Sequence, residues 1–147
     1  HRNFENTLQR LLEMGALPVI NENDTVATDE IVIGDNDTLA AIVAQSVRAD
    51  LLVLLSDIDG LYTADPHKDK DAKIIPLVQE MTEAVLALGG GSASSQGTGG
   101  MGTKLQAAKI CMDCGCEMVI ANGADPENLY GILDGEHIGT RFRRDQL

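Results

Sequence analysis

LLVLLSDIDG, Leu51 to Gly60, is five apolar residues followed by Ser56 and an acidic turn. A continuous apolar run this short reads as a strand buried on both faces, the pattern of a parallel sheet, and is too short for a core helix. Just upstream, DNDTLAAIVAQSVRAD (35–50) opens with Asp and Asn, good helix-capping residues, and continues as an Ala-rich helix. Farther on, a helix from about Met101 to Asp113 is followed by a strand EMVIAN (117–122), a short helix starting near Pro126 and a last strand around IGTRF. Helices alternating with buried strands predict an α/β fold with a mainly parallel sheet.

The other segments fill in around this frame. Phe4, Leu8, Leu11 and Leu12 recur at helical spacing, and Gly15 is placed to end that helix. ALPVIN (16–21) is short and β-branched and is expected to be a strand, and ATDEIVIGD (27–35) a small hairpin. KIIPLV (73–78) reads as an edge strand because Pro76 removes a ladder donor. TEAVLALGG (82–90) is a short helix with a glycine stop, and the Gly/Ser run GGGSASSQGTGG (89–100) has loop composition. No internal repeat or domain boundary is visible, and 147 residues fit one domain with a sizeable core.

Composition narrows the function classes. Aromatics are 3% and Trp is absent, so the core rests on Leu, Ile, Val and Ala. The formal net charge of −12 opposes binding to a nucleic-acid backbone, so any bound anion needs local donors working against the average field. No apolar run reaches the ~20 residues of a membrane-spanning helix, and no secretory leader is visible. Cys111, Cys114 and Cys116 are the three cysteines, an odd cluster that predicts reduced thiols and a cytoplasmic setting. Their C-x-x-C-x-C spacing leaves His137 as the only downstream histidine for a zinc site, and small thiols packing a helix end are the favoured reading. The first residues, HRNFENTLQRLLEMG, begin inside a helical pattern without an initiator Met, so the chain is expected to be part of a longer one.

In parallel sheets ligands bind beyond the carboxyl ends of the strands, and three polar segments can converge there. GTGGMGTK (97–104) packs glycines that let backbone N–H groups approach an anion, and it delivers Lys104 into the first turn of a helix. A cation is unfavourable at that end of a helix dipole unless an anion lies beside it. The order Thr103-Lys104 and the Ser/Gly loop before it differ from a P-loop, and these residues alone fit a linker as well as a phosphate loop. NENDTVATDEIVIGDND (21–37) mixes amides and carboxylates that suit a small zwitterion, and equally suit turns and caps. SDIDG (56–60) lacks the acid spacing of a calcium loop, having Pro66 where that motif places Glu. His1 and His67 have no evident catalytic partner.

Together, PVINENDTVATDEIVIGDND, LLVLLSDIDGLYTADP and GTGGMGTKLQAAKI, in this order and spacing, resemble the glutamate 5-kinases, a branch of the amino acid kinase family. The resemblance covers nearly the whole chain. It implies a three-layer αβα sandwich and transfer of the γ-phosphoryl group of ATP, with Mg²⁺, to the side-chain carboxylate of L-glutamate, opening proline biosynthesis. It implies that Asp24 and Asn36 hold glutamate, with Asn21 and Asn23 close by. Ser56, Asp57 and the run Thr98, Gly99, Gly100, Met101, Gly102, Thr103 and Lys104 would contact the nucleotide. Asp37 would orient lysine side chains around the phosphates, and Lys104 would neutralise charge on the transferring group. The family's N-terminal strand, with a second lysine, a glycine turn and a serine region for glutamate, has no counterpart here. Residues 1–147 are therefore expected to be the C-terminal portion of the kinase domain, without the PUA domain that many members append. Part of the sheet is then expected to be covered by another segment or a partner chain, in a homodimer or tetramer. A truncated, non-catalytic nucleotide- or glutamate-binding module and the kinase half of a bifunctional pyrroline-5-carboxylate synthase are the alternatives.

Overall fold

The computed structural model describes residues 2–21, 35–90 and 100–145. Helix α1 (Arg2–Glu13) stops where the periodicity predicts. Gly15 takes φ +74°, which lets the Ala16 N–H donate to the Leu11 carbonyl at 2.9 Å. Helix α2 (Asn36–Ser46) starts behind Asp35, whose Oδ1 accepts the Thr38 N–H at 2.6 Å. A tight turn leads to strand β1 (Leu51–Ser56). Strand β2 (Leu77–Val78), helix α3 (Glu83–Ala87, capped by Thr82) and helix α4 (Met101–Asp113) follow. Strand β3 (Glu117–Asn122), helix α5 (Asn128–Leu133) and strand β4 (Thr140–Phe142) complete the described elements.

The sheet order is β1-β3-β4-β2. β1 runs parallel to β3 and β2 parallel to β4, while β3 and β4 are antiparallel. Successive side chains of a strand point to opposite faces. In β3, Met118 and Ile120 join the core made with α2, α3 and α4, and Val119 and Ala121 join a second core with Ile132 of α5. The helices thus cover both faces, which is the expected αβα sandwich with a mainly parallel sheet. α2 and α4 lie side by side over the sheet, with Ala41, Ala44, Ala107 and Ala108 all buried in the same core.

Two sequence expectations need correction. β1 is not buried on both faces: Leu54 is its one fully buried residue, and Leu55 is 44% exposed. The strand enclosed on all sides is β3, whose Met118, Val119, Ile120 and Ala121 are all fully buried. The reason is position. β3 has β1 and β4 as neighbours, whereas β1 is an edge of the described sheet. Likewise 16–21 forms no strand: it pairs with none of the described strands, and Leu17 and Val19 are 87% and 91% exposed. The expected hairpin at 27–35 falls, up to residue 34, outside the described residues, as does most of the Gly/Ser loop.

The thiols pack the end of α4. Cys111 and Cys116 are buried and Cys114 is exposed, all three unoxidised. Burial, then the neighbouring Cys116, pushes the Cys111 thiol up to about 12, and burial likewise raises Cys116. Since the thiolate is the nucleophile, iodoacetamide at pH 8 is expected to alkylate Cys114 in the native protein and to leave Cys111 and Cys116 unmodified until denaturant is added. Peptide mass spectrometry checks this, and rapid native labelling of Cys111 would contradict it.

Candidate active site

Each of two helices is followed by a turn of a few residues and then a strand that runs back alongside it: α2 into β1, and α4 into β3. Eleven residues of helix span ~16 Å and six of strand ~20 Å, so the lengths match. The first turns of α2 and α4 therefore lie at the same sheet edge as the carboxyl ends of β1 and β3. That edge is where α/β sheets hold ligands.

The two strand exits are tied together there. Ser56 and Asn122 are in register at the last positions of β1 and β3, and the Gly123 N–H donates to the Ser56 carbonyl at 2.7 Å. The Asn122 side-chain amide donates to Asp59 Oδ1 at 3.0 Å, and the Tyr62 hydroxyl donates to Asp59 Oδ2 at 3.3 Å. Partial burial, with the Asp59 charge and hydrogen bond second, raises the Tyr62 phenol above its usual 10. Ser56 Oγ donates to Asp57 Oδ1 at 3.2 Å, and the Asp57 side chain is exposed. Below this loop the fully buried Thr140 hydroxyl accepts the Leu61 N–H at 2.8 Å and donates to the Ile75 carbonyl at 2.6 Å. The β1 exit is thereby pinned to the far side of the sheet.

The helix ends contribute a buried ion pair. Lys104, in the first turn of α4, is 5% exposed, and its Nζ lies 3.1 Å from Asp37 Oδ2 in the first turn of α2. The Thr103 hydroxyl lies 2.8 Å from the same Asp37 oxygen and 2.8 Å from the Gly100 carbonyl. The cation that α4's dipole disfavours is thus offset by a carboxylate from a neighbouring helix. Gly102 sits against Gly89 at the end of α3: a Cβ on Gly89 would come within 2.9 Å of the Gly102 Cα. A side chain on Gly89 would therefore push against the backbone at the head of α4, whereas one on Gly102 would meet only the Gly89 carbonyl at 3.3 Å. Met101 packs its side chain into the core beneath, which leaves its backbone N–H, with that of Gly102, as a donor at the helix head.

Of the residues expected to hold the amino acid, Asn21 and Asn36 line one groove of about 510 Å³, together with Pro18, Leu39, Val43 and Leu52. Asn23 and Asp24 lie outside the described residues, as do Thr98 and Gly99 of the glycine loop. The structure brings Asp37, Thr103 and Lys104 into contact, and by topology places Ser56 and Asp57 at the same edge. Asn122 and Tyr62 were missed in the sequence. A signal existed for Asn122: LLVLLS and EMVIAN are apolar runs of equal length, each ending in one polar residue. Among the described residues no three His, Cys, Asp or Glu side chains converge as metal ligands, and no helix is long and apolar enough to cross a membrane.

The sequence model described as the amino acid kinase family matches residues 1–122. The chain belongs to the amino acid kinase family. Among its relatives in that family, the glutamate 5-kinase of Caldanaerobacter subterraneus subsp. tengcongensis is 56% identical over 140 residues, covering 95% of this chain. That of Paramagnetospirillum magneticum is 59% identical over 133 residues. The chain spans 38% of the length of the first of these relatives and 36% of the second. Solved structures agree on the family's fold. UMP kinase from Bacillus anthracis superposes with a TM-score of 0.66 at 18% identity, covering 97% of this chain and 52% of its own. The isopentenyl phosphate kinase of T. acidophilum gives 0.63 at 23% identity, covering 94% of this chain and 52% of its own.

Proposed function

We propose that the polypeptide carrying this chain is a glutamate 5-kinase, which transfers the γ-phosphoryl group of ATP to the side-chain carboxylate of L-glutamate to give glutamyl 5-phosphate and ADP. The observation that carries the reading is the buried Lys104, held by Asp37 at the head of α4, in a chain 56% identical to proteins of that name. A carboxylate nucleophile, with an ordinary pKa of ~4.3, is already ionised at neutral pH and needs no general base. One of its oxygens bonds to the γ-phosphorus while the bond from that phosphorus to the ADP oxygen breaks, and the electron pair leaves with ADP. Catalysis then rests on positioning and on cancelling charge between two anions.

In this reading Lys104 neutralises charge on the transferring group and Asp37 keeps its ammonium aimed. Ser56, Asp57 and the run Thr98 to Lys104 contact the nucleotide, with backbone N–H groups at the head of α4 donating to its phosphates. Asp24 and Asn36 hold glutamate, with Asn21 and Asn23 beside them. The carboxylates described at this edge, Asp37, Asp57 and Asp59, each accept a donor from the protein and do not converge as a set of metal ligands, so Mg²⁺ would have phosphate oxygens as its natural ligands and arrive with ATP. The metal, when bound, supplies further neutralisation of the phosphates. Operation in proline biosynthesis, in the cytoplasm and as a homo-oligomer belongs to the same reading.

The test is ATP-dependent acyl phosphate formation, trapped as the hydroxamate with hydroxylamine, in the full polypeptide carrying this chain. Hydroxamate is expected with glutamate and not with aspartate or acetylglutamate. Turnover of aspartate in place of glutamate would overturn the substrate assignment. The second reading is a chain that binds nucleotide or glutamate without turnover. Calorimetric binding of an ATP analogue by a polypeptide that forms no hydroxamate would select it.

A further inference from the structure

Thr103 and Asp37 are 66 residues apart in sequence, and their contact joins the head of α4 to the head of α2. The Thr103 hydroxyl carries one proton and lies 2.8 Å from two acceptors, Asp37 Oδ2 and the Gly100 carbonyl. The carboxylate is the stronger of the two, because a hydrogen bond to an ionised acceptor is charge-assisted. The same Oδ2 also receives Lys104 Nζ at 3.1 Å. Two donors from consecutive residues of α4 therefore converge on a single oxygen of α2. A carboxylate held by one flexible lysine can turn about its terminal torsion, which has a broad energy profile. A second donor, on a short β-branched side chain with restricted χ1, removes that freedom.

We propose that Thr103 is a positioning residue for the phosphoryl transfer: its hydroxyl fixes the Asp37 carboxylate in the orientation that holds Lys104. The inference rests on the reading of the site given above and adds a role for the hydroxyl that nucleotide contact does not require. The hydroxyl is turned toward Asp37 and the Gly100 carbonyl, within the protein, which leaves the backbone N–H of this residue as its natural contribution to phosphate binding. Gly100 closes the glycine segment, so the same hydroxyl couples the end of that segment to the lysine's partner.

The experiment compares Thr103→Val, which keeps the shape and removes the hydroxyl, with Thr103→Ser, which keeps the hydroxyl, in the full polypeptide carrying this chain. Thr103→Ala replaces the valine variant if that one does not fold, as judged by circular dichroism. Hydroxamate kinetics are expected to show kcat for Thr103→Val lowered roughly tenfold to a hundredfold, with KM for ATP moved less than about threefold. Thr103→Ser is expected to recover most of the lost turnover. A crystal structure of the valine variant is expected to show Asp37 turned and its contact with Lys104 lost. The proposal is overturned if Thr103→Val keeps wild-type kcat, if its loss lies in KM for ATP, if serine fails to rescue, or if the Lys104–Asp37 contact stays in place without the hydroxyl. If the unmutated protein transfers phosphate to no acceptor, the kinase reading fails by itself, and the crystallographic comparison still decides the role of Thr103.

Discussion

Lys104→Ala is expected to lower kcat for glutamate phosphorylation by roughly a thousandfold, the upper end of the loss on removing one preorganised donor to a transition-state charge. The lysine is 5% exposed, so its charge acts in a medium where electrostatic interactions are stronger than in water. The substitution also does harm by what it leaves. Asp37, its side chain 16% exposed, would face the transferring phosphoryl group without the Lys104 ammonium beside it. A bound anion would then meet repulsion where it had met attraction, in a chain whose net charge is already −12. Steady-state hydroxamate assays check the effect, with circular dichroism to confirm folding. A rate within a few-fold of wild type would remove Lys104 from the catalytic role.

Gly139→Ala is expected to destabilise the fold by about 3 kcal/mol or more, an effect reserved for strained backbone and buried clashes. Gly139 has φ +67°, where an L side chain is strained, and a Cβ there would overlap the Ile120 carbonyl oxygen. Ile120 is in the middle of β3, which is enclosed by strands on two sides and helices on both faces, so it has nowhere to yield. Gly135→Ala is the control. Its φ is +83°, but a Cβ there has nothing within 4 Å, so the cost reduces to backbone strain of about 1 kcal/mol. Urea unfolding of the two variants separates steric overlap from conformational preference, and equal midpoints would show that β3 can give way.

Local signals were legible and neighbourhood was not. α4 has the bounds read from the sequence, because a glycine segment precedes its first residue and Gly115 follows its end. Thr82 and Asp35 cap α3 and α2 as their residue types predict. Burial depends on which strand lies alongside, and apolarity does not report that. LLVLLS is more uniformly apolar than EMVIAN, yet β3 is the enclosed strand because it pairs on both edges. ALPVIN has strand composition without a described strand to pair with. The site divides the same way. The glycine segment announced itself by composition. The Lys104–Asp37 pairing came only from the family resemblance, since contacts between polar residues 67 positions apart leave no periodicity in a sequence. Asn122 went unnoticed because its meaning lies in its register with Ser56.

The alanines between α2 and α4 set a tolerance. Helix axes pack 8–10 Å apart according to the side chains at the contact, and methyl groups set the near end of that range. Ala41, Ala44, Ala107 and Ala108 therefore act as a gauge for the two helices that carry Asp37 and Lys104. A lysine and an aspartate have fixed reach, so a gap wider by the thickness of one branched side chain would part them. The accuracy of the charged pair at the helix heads is thus machined into residues that carry no polar atoms in their side chains.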